Sequence, residues 1–143
     1  MGFFWYPLVS TCPYLPIMTD RQLAILAALN MFVAVATGAF GAHGLRHLVD
    51  AELLATWQTA VQYHQVHALG LFAVAWLRQR HPADTLLPTA GWLMFIGIVL
   101  FSGSLYALTL TGTHWLGVIT PLGGAAFLLA WILVARAAWR APD

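Results

Sequence analysis

The chain has 143 residues, of which 61% are hydrophobic and 8% are charged, and its mean hydropathy is +0.78. Soluble domains carry about 25% charged residues, so this composition excludes a soluble globular protein and indicates a chain that lies mostly in lipid. The net charge of +1 without a basic run excludes nucleic acid as a partner, and the single cysteine, Cys12, has no second thiol for an intramolecular disulfide.

Residues 1–17 form an apolar N-terminal extension that contains Pro7, Pro13 and Pro16. Because prolines interrupt a helix and no basic residue leads the segment, we expect neither a membrane span nor a signal peptide there. Met18 begins a stretch with the character of a natural start. We therefore predict a poorly ordered extension followed by one domain over residues 18–143.

Four stretches of the chain are long and apolar enough to cross a membrane, which takes about 20 residues. They run over Gln22–His43, Trp57–Leu77, Leu86–Leu110 and Trp115–Ala135. Thr19 and Gln22 have the spacing of a capping box, and Asp50 can cap the second helix. The sequence thus predicts an all-α membrane protein, a bundle of four transmembrane helices with short loops.

The arginines predict the orientation of this bundle. With four spans, five arginines share the side of both termini and only Arg46 lies opposite; the five are Arg21, Arg78, Arg80, Arg136 and Arg140. By the positive-inside rule, both termini are cytoplasmic. Trp57 and Trp76 are 19 residues apart, about 28 Å along a helix, so we expect both indoles at headgroup depth on opposite faces of the bilayer.

Polar side chains within the spans are concentrated in the half away from the arginines. They are Thr37, His43, Gln58, Gln62, His64, Gln65, His67, Ser102, Ser104, Tyr106 and Thr120. The other half holds only Asn30 and Thr89. Because a pore for charged solutes needs polar groups along its whole length, this asymmetry favours a pocket closed at its cytoplasmic end over a channel.

The second span is polar on more than one side. At 100° per residue, Gln58, Gln62 and Gln65 share one face, and His64 and His67 lie on roughly the opposite face. A helix of an isolated bundle exposes part of its surface to lipid, so this pattern indicates an assembly with a second copy or with another membrane protein.

Glycines line one side of the first and the last span. We interpret these faces as helix-packing surfaces, formed by Gly38 and Gly41 on the first span and by Gly117, Pro121 and Gly124 on the last. Pro121 is expected to bend the last helix about one turn below the outer surface.

The intramembrane histidines raise the question of a metal or haem site. Imidazoles of His43, His64 and His67 can ligate iron or zinc, but no carboxylate or thiolate lies in the spans to complete a site. Hydrogen-bonded histidines are the favoured interpretation, so no metal site is assigned, and haem or a metal bound through His43 and His67 stays an alternative. Ser102 or Ser104 near His67 is the only conceivable nucleophile pair. We assign no catalytic residue and expect no enzyme.

Four segments taken in order resemble the YgdD-like family, domain of unknown function family 423. They are Gly38-Ala-Phe-Gly-Ala-His43-Gly, Trp57 with Tyr63 and His67, Leu100-Phe-Ser-Gly-Ser-Leu-Tyr106, and Thr120-Pro-Leu-Gly-Gly124. The resemblance covers about Met18 to Ala135 and implies a four-helix protein of the bacterial inner (plasma) membrane, with no known reaction or cofactor. His64 stands where relatives can carry other polar residues such as glutamine.

The favoured functional hypothesis is a small accessory or scaffolding membrane protein that associates with itself or with another membrane protein in the bilayer. The alternative is a binding protein whose outward-facing pocket holds a small polar ligand, a lipid headgroup or haem. The candidate residues for this pocket or for a polar network are His43, Gln62, Tyr63, His67, Ser102, Tyr106 and Thr120. A transporter of small solutes is the third hypothesis.

Overall fold

The computed structural model describes residues 19–140, and within these residues the chain is helical and contains no strand. The helices are α1 (Asp20–His43), α2 (Ala51–Arg80), α3 (Leu86–Gly97), α4 (Gly103–Thr111) and α5 (Thr120–Arg140). A π-helical turn over Ile98–Ser102 joins α3 and α4 into one continuous rod, Leu86–Thr111, called here the α3–α4 rod. The predicted extension over residues 1–17 lies outside the described residues.

Local sequence signals explain where the helices begin and end. The Thr19 hydroxyl accepts from the Gln22 amide at 3.2 Å and the Gln22 side chain accepts from the Thr19 amide at 2.8 Å, which confirms the capping box. Asp50 caps α2 through the Leu53 amide at 2.8 Å, also as predicted. The rod ends at Gly112, whose φ of +67° is left-handed and suits glycine.

Three helical segments are long and apolar enough to cross a membrane: Asp20–His47, Leu86–Thr111 and His114–Arg140. Four such segments are expected from the sequence, and α2 is the one that does not qualify. It has 30 residues, about 45 Å of helix, so its length is sufficient. Its polar side chains lower its apolar character below that of the other three helices.

The helices pack around α2 and the α3–α4 rod. Helix α1 packs chiefly on α2, and α5 packs chiefly on the rod, so that α2 contacts α1, the rod and α5. One apolar core fills the half of the molecule that contains the start of α1 and the end of α5. Its buried members include Leu23, Leu71, Val74, Leu87, Met94, Phe127 and Ala137.

Glycines permit the closest helix contacts, but on α5 not at the residues predicted. A Cβ on Gly123 would overlap the backbone nitrogen of Phe101 in the π-helical turn, whereas a Cβ on Gly117 or Gly124 would have no neighbour nearer than 3.6 Å. The close approach is thus one residue away from Gly124, because the phase of α5 turns Gly123 toward the rod. On α1, a Cβ on Gly41 would lie 2.7 Å from the Trp57 indole, and on Gly38 3.3 Å from Val61.

Pro121 does not bend the last helix. The segment His114–Val118 forms a separate 3₁₀ helix, and α5 begins at Thr120. Pro121 therefore occupies the first turn, where a helix needs no N–H from this position. The predicted bend is replaced by a change of helix type before the proline.

Adjacent glycines on α5 give a matched test of this packing. Gly123→Ala should lower the free energy of unfolding by about 1–3 kcal/mol, because the added methyl meets backbone atoms that have no room to move. Gly124→Ala should change it by less than about 0.5 kcal/mol, as expected for a site with space. Thermal unfolding in detergent, followed by circular dichroism, measures both. Equal melting temperatures for the two variants would contradict the packing described.

Candidate functional site: a buried polar network between three helices

His64 lies at the centre of the largest polar cluster that the structure describes. Its side chain on α2 is 4% exposed and lies between α1 and α4. The Nε2 atom is 3.2 Å from Asn30 Oδ1, and the Nδ1 atom is 3.4 Å from the Tyr106 hydroxyl. Asn30 in turn donates through Nδ2 to the Leu26 carbonyl at 2.8 Å. His64 thus connects two helices that flank α2.

Thr37 and Trp57 extend the cluster toward the loop between α1 and α2. The Thr37 and Tyr106 hydroxyls are 3.1 Å apart, and Trp57 Nε1 donates to the Thr37 carbonyl at 2.9 Å. The Trp57 and Tyr106 rings pack with centroids 4.6 Å apart. We call Asn30, Thr37, Trp57, His64 and Tyr106 the His64 network.

One arrangement of protons is consistent with all the hydrogen bonds between side chains of the His64 network. The Thr37 hydroxyl shares its proton between the Ala34 carbonyl, at 3.1 Å, and the Tyr106 oxygen. Tyr106 donates to His64 Nδ1, and His64 Nε2–H donates to Asn30 Oδ1. Asn30 closes the sequence by donating to a backbone carbonyl. Because buried polar groups in lipid are costly when unpaired, this arrangement stabilises the three-helix contact. It also makes His64 a neutral imidazole with its proton on Nε2.

His67 lies in a separate place, against α5. Its Nδ1 atom is 2.7 Å from the Tyr63 carbonyl, which only accepts, so Nδ1 carries the proton of the neutral ring. The imidazole stacks on Phe127 with ring centroids 3.4 Å apart and is 4% exposed. Tyr63 stacks on Phe101 at 4.4 Å and so covers the π-helical turn.

Two serines near the π-helical turn differ in their hydrogen bonding. The Ser104 hydroxyl is 2.9 Å from the Thr120 hydroxyl and 3.0 Å from the Phe101 carbonyl, and this pair links the rod to α5. Ser102 is fully buried, and within residues 19–140 its hydroxyl has no hydrogen-bond partner. No hydrogen bond joins either serine to His67 in the described part of the chain.

The structure therefore distributes the candidate residues over several places rather than one pocket. Tyr106 belongs to the His64 network, Tyr63 and His67 lie against α5, and Thr120 pairs with Ser104. Ser102 is buried in the π-helical turn. His43 and Gln62 are exposed and contribute to none of these groups. The ligand-binding role of the set stays a prediction.

Helix register rules out one haem bound by His43 and His67 together. The bond between Trp57 and the Thr37 carbonyl places these residues at one depth. His43 is six residues from Thr37 and His67 is ten residues from Trp57 in the opposite direction, which separates the two imidazoles by about 24 Å along the helices. Two imidazole nitrogens on one metal ion lie only about 4 Å apart, since each bond is ~2 Å. This correction removes the paired-histidine haem alternative.

Trp57 is buried inside the bundle, at 3% exposure, whereas Trp76 is 52% exposed. The predicted headgroup depth of both indoles stays a prediction. Asn30, Thr37, Trp57 and His64 are also the members of the network that the predicted site residues omit. The short loop between α1 and α2 is the sequence signal that could have found them. It implies antiparallel pairing, which places Asn30 at the depth of His64 and Thr37 at the depth of Trp57.

Comparison with known proteins gives consistent matches. A family model described as "Protein of unknown function (DUF423)" matches residues 37–124. The chain is 55% identical over 118 residues to the UPF0382 membrane protein YwdK of Bacillus subtilis, covering 82% of this chain and 96% of that protein. The chain belongs to the DUF423 family. This confirms the resemblance stated from its motifs.

Other relatives of this DUF423 protein come from distant bacteria. A UPF0382 membrane protein of Haemophilus influenzae is 41% identical over 126 residues, covering 88% of this chain and 99% of that protein. The UPF0382 membrane protein SSP2132 of Staphylococcus saprophyticus is 46% identical over 114 residues, with coverages of 80% and 93%. No solved structure matches the chain. The names agree that this is a membrane protein, and none of them states an activity.

The His64 network of the DUF423 protein makes a specific prediction. His64→Leu removes the partner of Asn30 Oδ1 and one of the two partners of the Tyr106 hydroxyl, and it should cost about 1–2 kcal/mol of unfolding free energy. His64→Gln should cost less than half of that, because an amide donates and accepts as the imidazole does. Thermal unfolding in one detergent compares the two variants with the parent.

A double-mutant cycle is the control for a simple volume effect. Tyr106→Phe should destabilise the parent more than it destabilises His64→Leu, because its hydroxyl has already lost one partner in that variant. Strict additivity of the two substitutions would show that His64 and Tyr106 are not coupled.

Proposed function

We propose that this DUF423 protein crosses the bacterial inner membrane four times with both termini in the cytoplasm, and that it acts as a scaffold whose copies associate through the outer half of α2.

The packing of α2 supports a fourth span. Three segments that qualify as spans, in α1, the rod and α5, all contact α2. The Asp20–Arg78 ion pair at 3.1 Å joins one end of α1 to one end of α2, and the bond from Trp57 to Thr37 joins them near the other end. A helix held against a span at both ends lies at the same depth in the bilayer. The distribution of the arginines supports cytoplasmic termini.

Labelling of single cysteines tests this topology. In a Cys12→Ser background, His47→Cys should react with a membrane-impermeant maleimide added to intact spheroplasts, and Ala83→Cys should react only after permeabilisation. Both positions are exposed, in the loops on either side of α2. If α2 does not cross, both loops lie on one side and show the same labelling, which would refute the four-span topology.

The observation that carries the scaffold proposal is a pair of exposed amides within a helix that contacts three spans. Gln58 and Gln62 are exposed, and within residues 19–140 neither side chain makes a hydrogen bond. Gln62 is five residues beyond Trp57, so it lies about 7.5 Å deeper along the helix. An unpaired amide in hydrocarbon costs roughly 4 kcal/mol or more. This cost favours a state in which another helix covers α2.

A second copy of the chain is the occupant that fits this surface. A glutamine amide both donates and accepts hydrogen bonds. The amides of a second copy, related to the first by a two-fold axis, can therefore pair with Gln58 and Gln62. Small side chains at Ala55 and Thr59 flank the amides and allow the helices to approach. The exposed stripe over Ala55, Gln58, Thr59, Gln62 and Val66 carries no charge that would repel its own copy.

Disulfide crosslinking at matched depth tests the self-association. Gln62→Cys in the Cys12→Ser background should form a covalent dimer in native membranes under mild oxidation. Phe32→Cys is the control: Phe32 is 72% exposed on α1 and lies five residues below Thr37, at the depth of Gln62. We expect the Gln62→Cys dimer to exceed the Phe32→Cys background at least fivefold.

Native mass spectrometry provides the second readout. The parent should appear as a dimer or a larger oligomer, and the double variant Gln58→Leu/Gln62→Leu should shift to the monomer, because the apolar stripe no longer requires a polar cover. A monomeric parent together with equal crosslinking at both cysteine positions would refute the scaffold proposal.

The two other functional hypotheses receive less support. For a pocket in the outer half, the side chains of Tyr106, His67 and Thr120 would have to give up internal hydrogen bonds to a ligand. For a transporter, the route toward the cytoplasm would have to cross the apolar core that includes Leu71 and Met94. Neither requirement applies to a scaffold.

A further inference from the structure

A crevice of about 360 Å³ opens at the end of the molecule where α2 and α5 terminate. Its walls are the connection from α2 to α3 and the last turn of α5, with the buried Ala137 among the lining residues. The polar residues that line it are Arg80, His81, Asp84 and Arg140. A volume of this size lies within the range of small-ligand sites, roughly 300–1,000 Å³.

Two arginines of this crevice have no acidic partner in the described residues. Arg78 pairs with Asp20 at 3.1 Å, but no ion pair involves Arg80 or Arg140. The Arg80 guanidinium carbon lies 4.2 Å from the centroid of the Trp76 ring, and this cation–π contact orients the guanidinium group. Its N–H donors lie in the plane of the group and remain available for an oxyanion.

The carboxylate in the crevice is already engaged. Asp84 Oδ1 accepts from the Leu86 amide at 2.7 Å and from the Leu87 amide at 3.1 Å, and so caps α3. These N–H groups and the positive end of α3 offset part of its charge. The crevice therefore presents two guanidinium groups against one capped carboxylate, and it attracts anions.

Exposed indoles place the crevice at the membrane interface. Trp76 is 52% exposed one turn before Arg80, and Trp139 is 91% exposed beside Arg140. Tryptophan side chains concentrate at headgroup depth, where the ring is partly in lipid and the N–H reaches water. The guanidinium groups of Arg80 and Arg140 consequently lie at the depth of lipid phosphates.

We propose that this crevice binds the phosphate of an anionic phospholipid such as phosphatidylglycerol, with Arg80 and Arg140 as the phosphate ligands. Arginine suits a phosphodiester because its planar donors bind two oxygens at once. Basic pockets between spans on the cytoplasmic side are where anionic headgroups accumulate. The site is at the opposite end of α2 from Gln58 and Gln62, and its occupation does not require self-association.

The arginines also have a simpler role that the test must separate. Basic residues in the last turn of a helix stabilise its negative end, and they fix the orientation in the membrane. A matched control removes the same number of charges from the same side but outside the crevice. Arg21→Gln/Arg136→Gln meets this requirement, because Arg21 and Arg136 are exposed and do not line the crevice.

Lipid binding is measured by native mass spectrometry of the full chain in mild detergent, titrated with dioleoyl phosphatidylglycerol or with dioleoyl phosphatidylcholine. We expect the parent to bind phosphatidylglycerol at least tenfold more tightly than phosphatidylcholine. Arg80→Gln/Arg140→Gln should lose this preference, and Arg21→Gln/Arg136→Gln should keep it within about twofold. Circular dichroism spectra and elution volumes matching the parent establish that both variants are folded.

Three results would overturn the proposal. The first is equal affinity of the parent for the two lipids, because the crevice would then not select an anionic headgroup. The second is the same loss of preference in both double variants, because charge at this end of the molecule would then suffice. The third is displacement of phosphatidylglycerol by an equal concentration of inorganic phosphate or glycerol 3-phosphate, which would identify the crevice as a site for a soluble phosphate.

Discussion

The hydrogen bond between His64 and Asn30 satisfies a constraint that shapes the rest of this fold. A polar side chain within the bilayer must find its partner inside the protein. Helix α2 carries most such groups, and it is also the helix that α1, the rod and α5 all contact. Each neighbour covers a different polar part of α2: α1 bonds to His64 and Trp57, α4 supplies Tyr106, and α5 stacks on His67. The least apolar helix is thus the one that holds the bundle together.

The polar groups in the half of the bundle away from the arginines form closed pairs and a closed network rather than a path. The His64 network ends at both extremes on backbone carbonyls of α1, those of Leu26 and Ala34. Ser104 and Thr120 bond to each other, and His67 bonds to the turn before it. Side chains that are already paired orient the helices and hold them in contact, and they need no water molecule for their hydrogen bonds. Within residues 19–140 the exposed amides of Gln58 and Gln62 on α2 make no hydrogen bond, which is why self-association is proposed at that face.

Sequence reasoning succeeded where the determining interactions are local. The caps at Thr19 and Asp50 involve residues three positions apart, and helical phase alone separates His64 and His67 from Gln58 and Gln62. It failed where the outcome depends on how one helix is rotated and shifted against another. Gly123 and Gly124 differ by 100° of rotation, and only the contact with Phe101 selects between them. Trp57 likewise points to α1 instead of lipid because the Thr37 carbonyl accepts its N–H.

The π-helical turn shows how these contacts combine at one level of the bundle. One extra residue in a helical turn shifts the phase of every side chain after it. In the rod this shift follows Gly97 and Ile98, so the α3 part presents Met94 to Gly70 of α2 while the α4 part presents Tyr106 to His64. Gly123 allows α5 to lie directly against the turn at Phe101. A regular α-helix over the same residues would change the rotation of α4 relative to α3. The packing of Met94 on Gly70 would then be incompatible with the hydrogen bond between Tyr106 and His64.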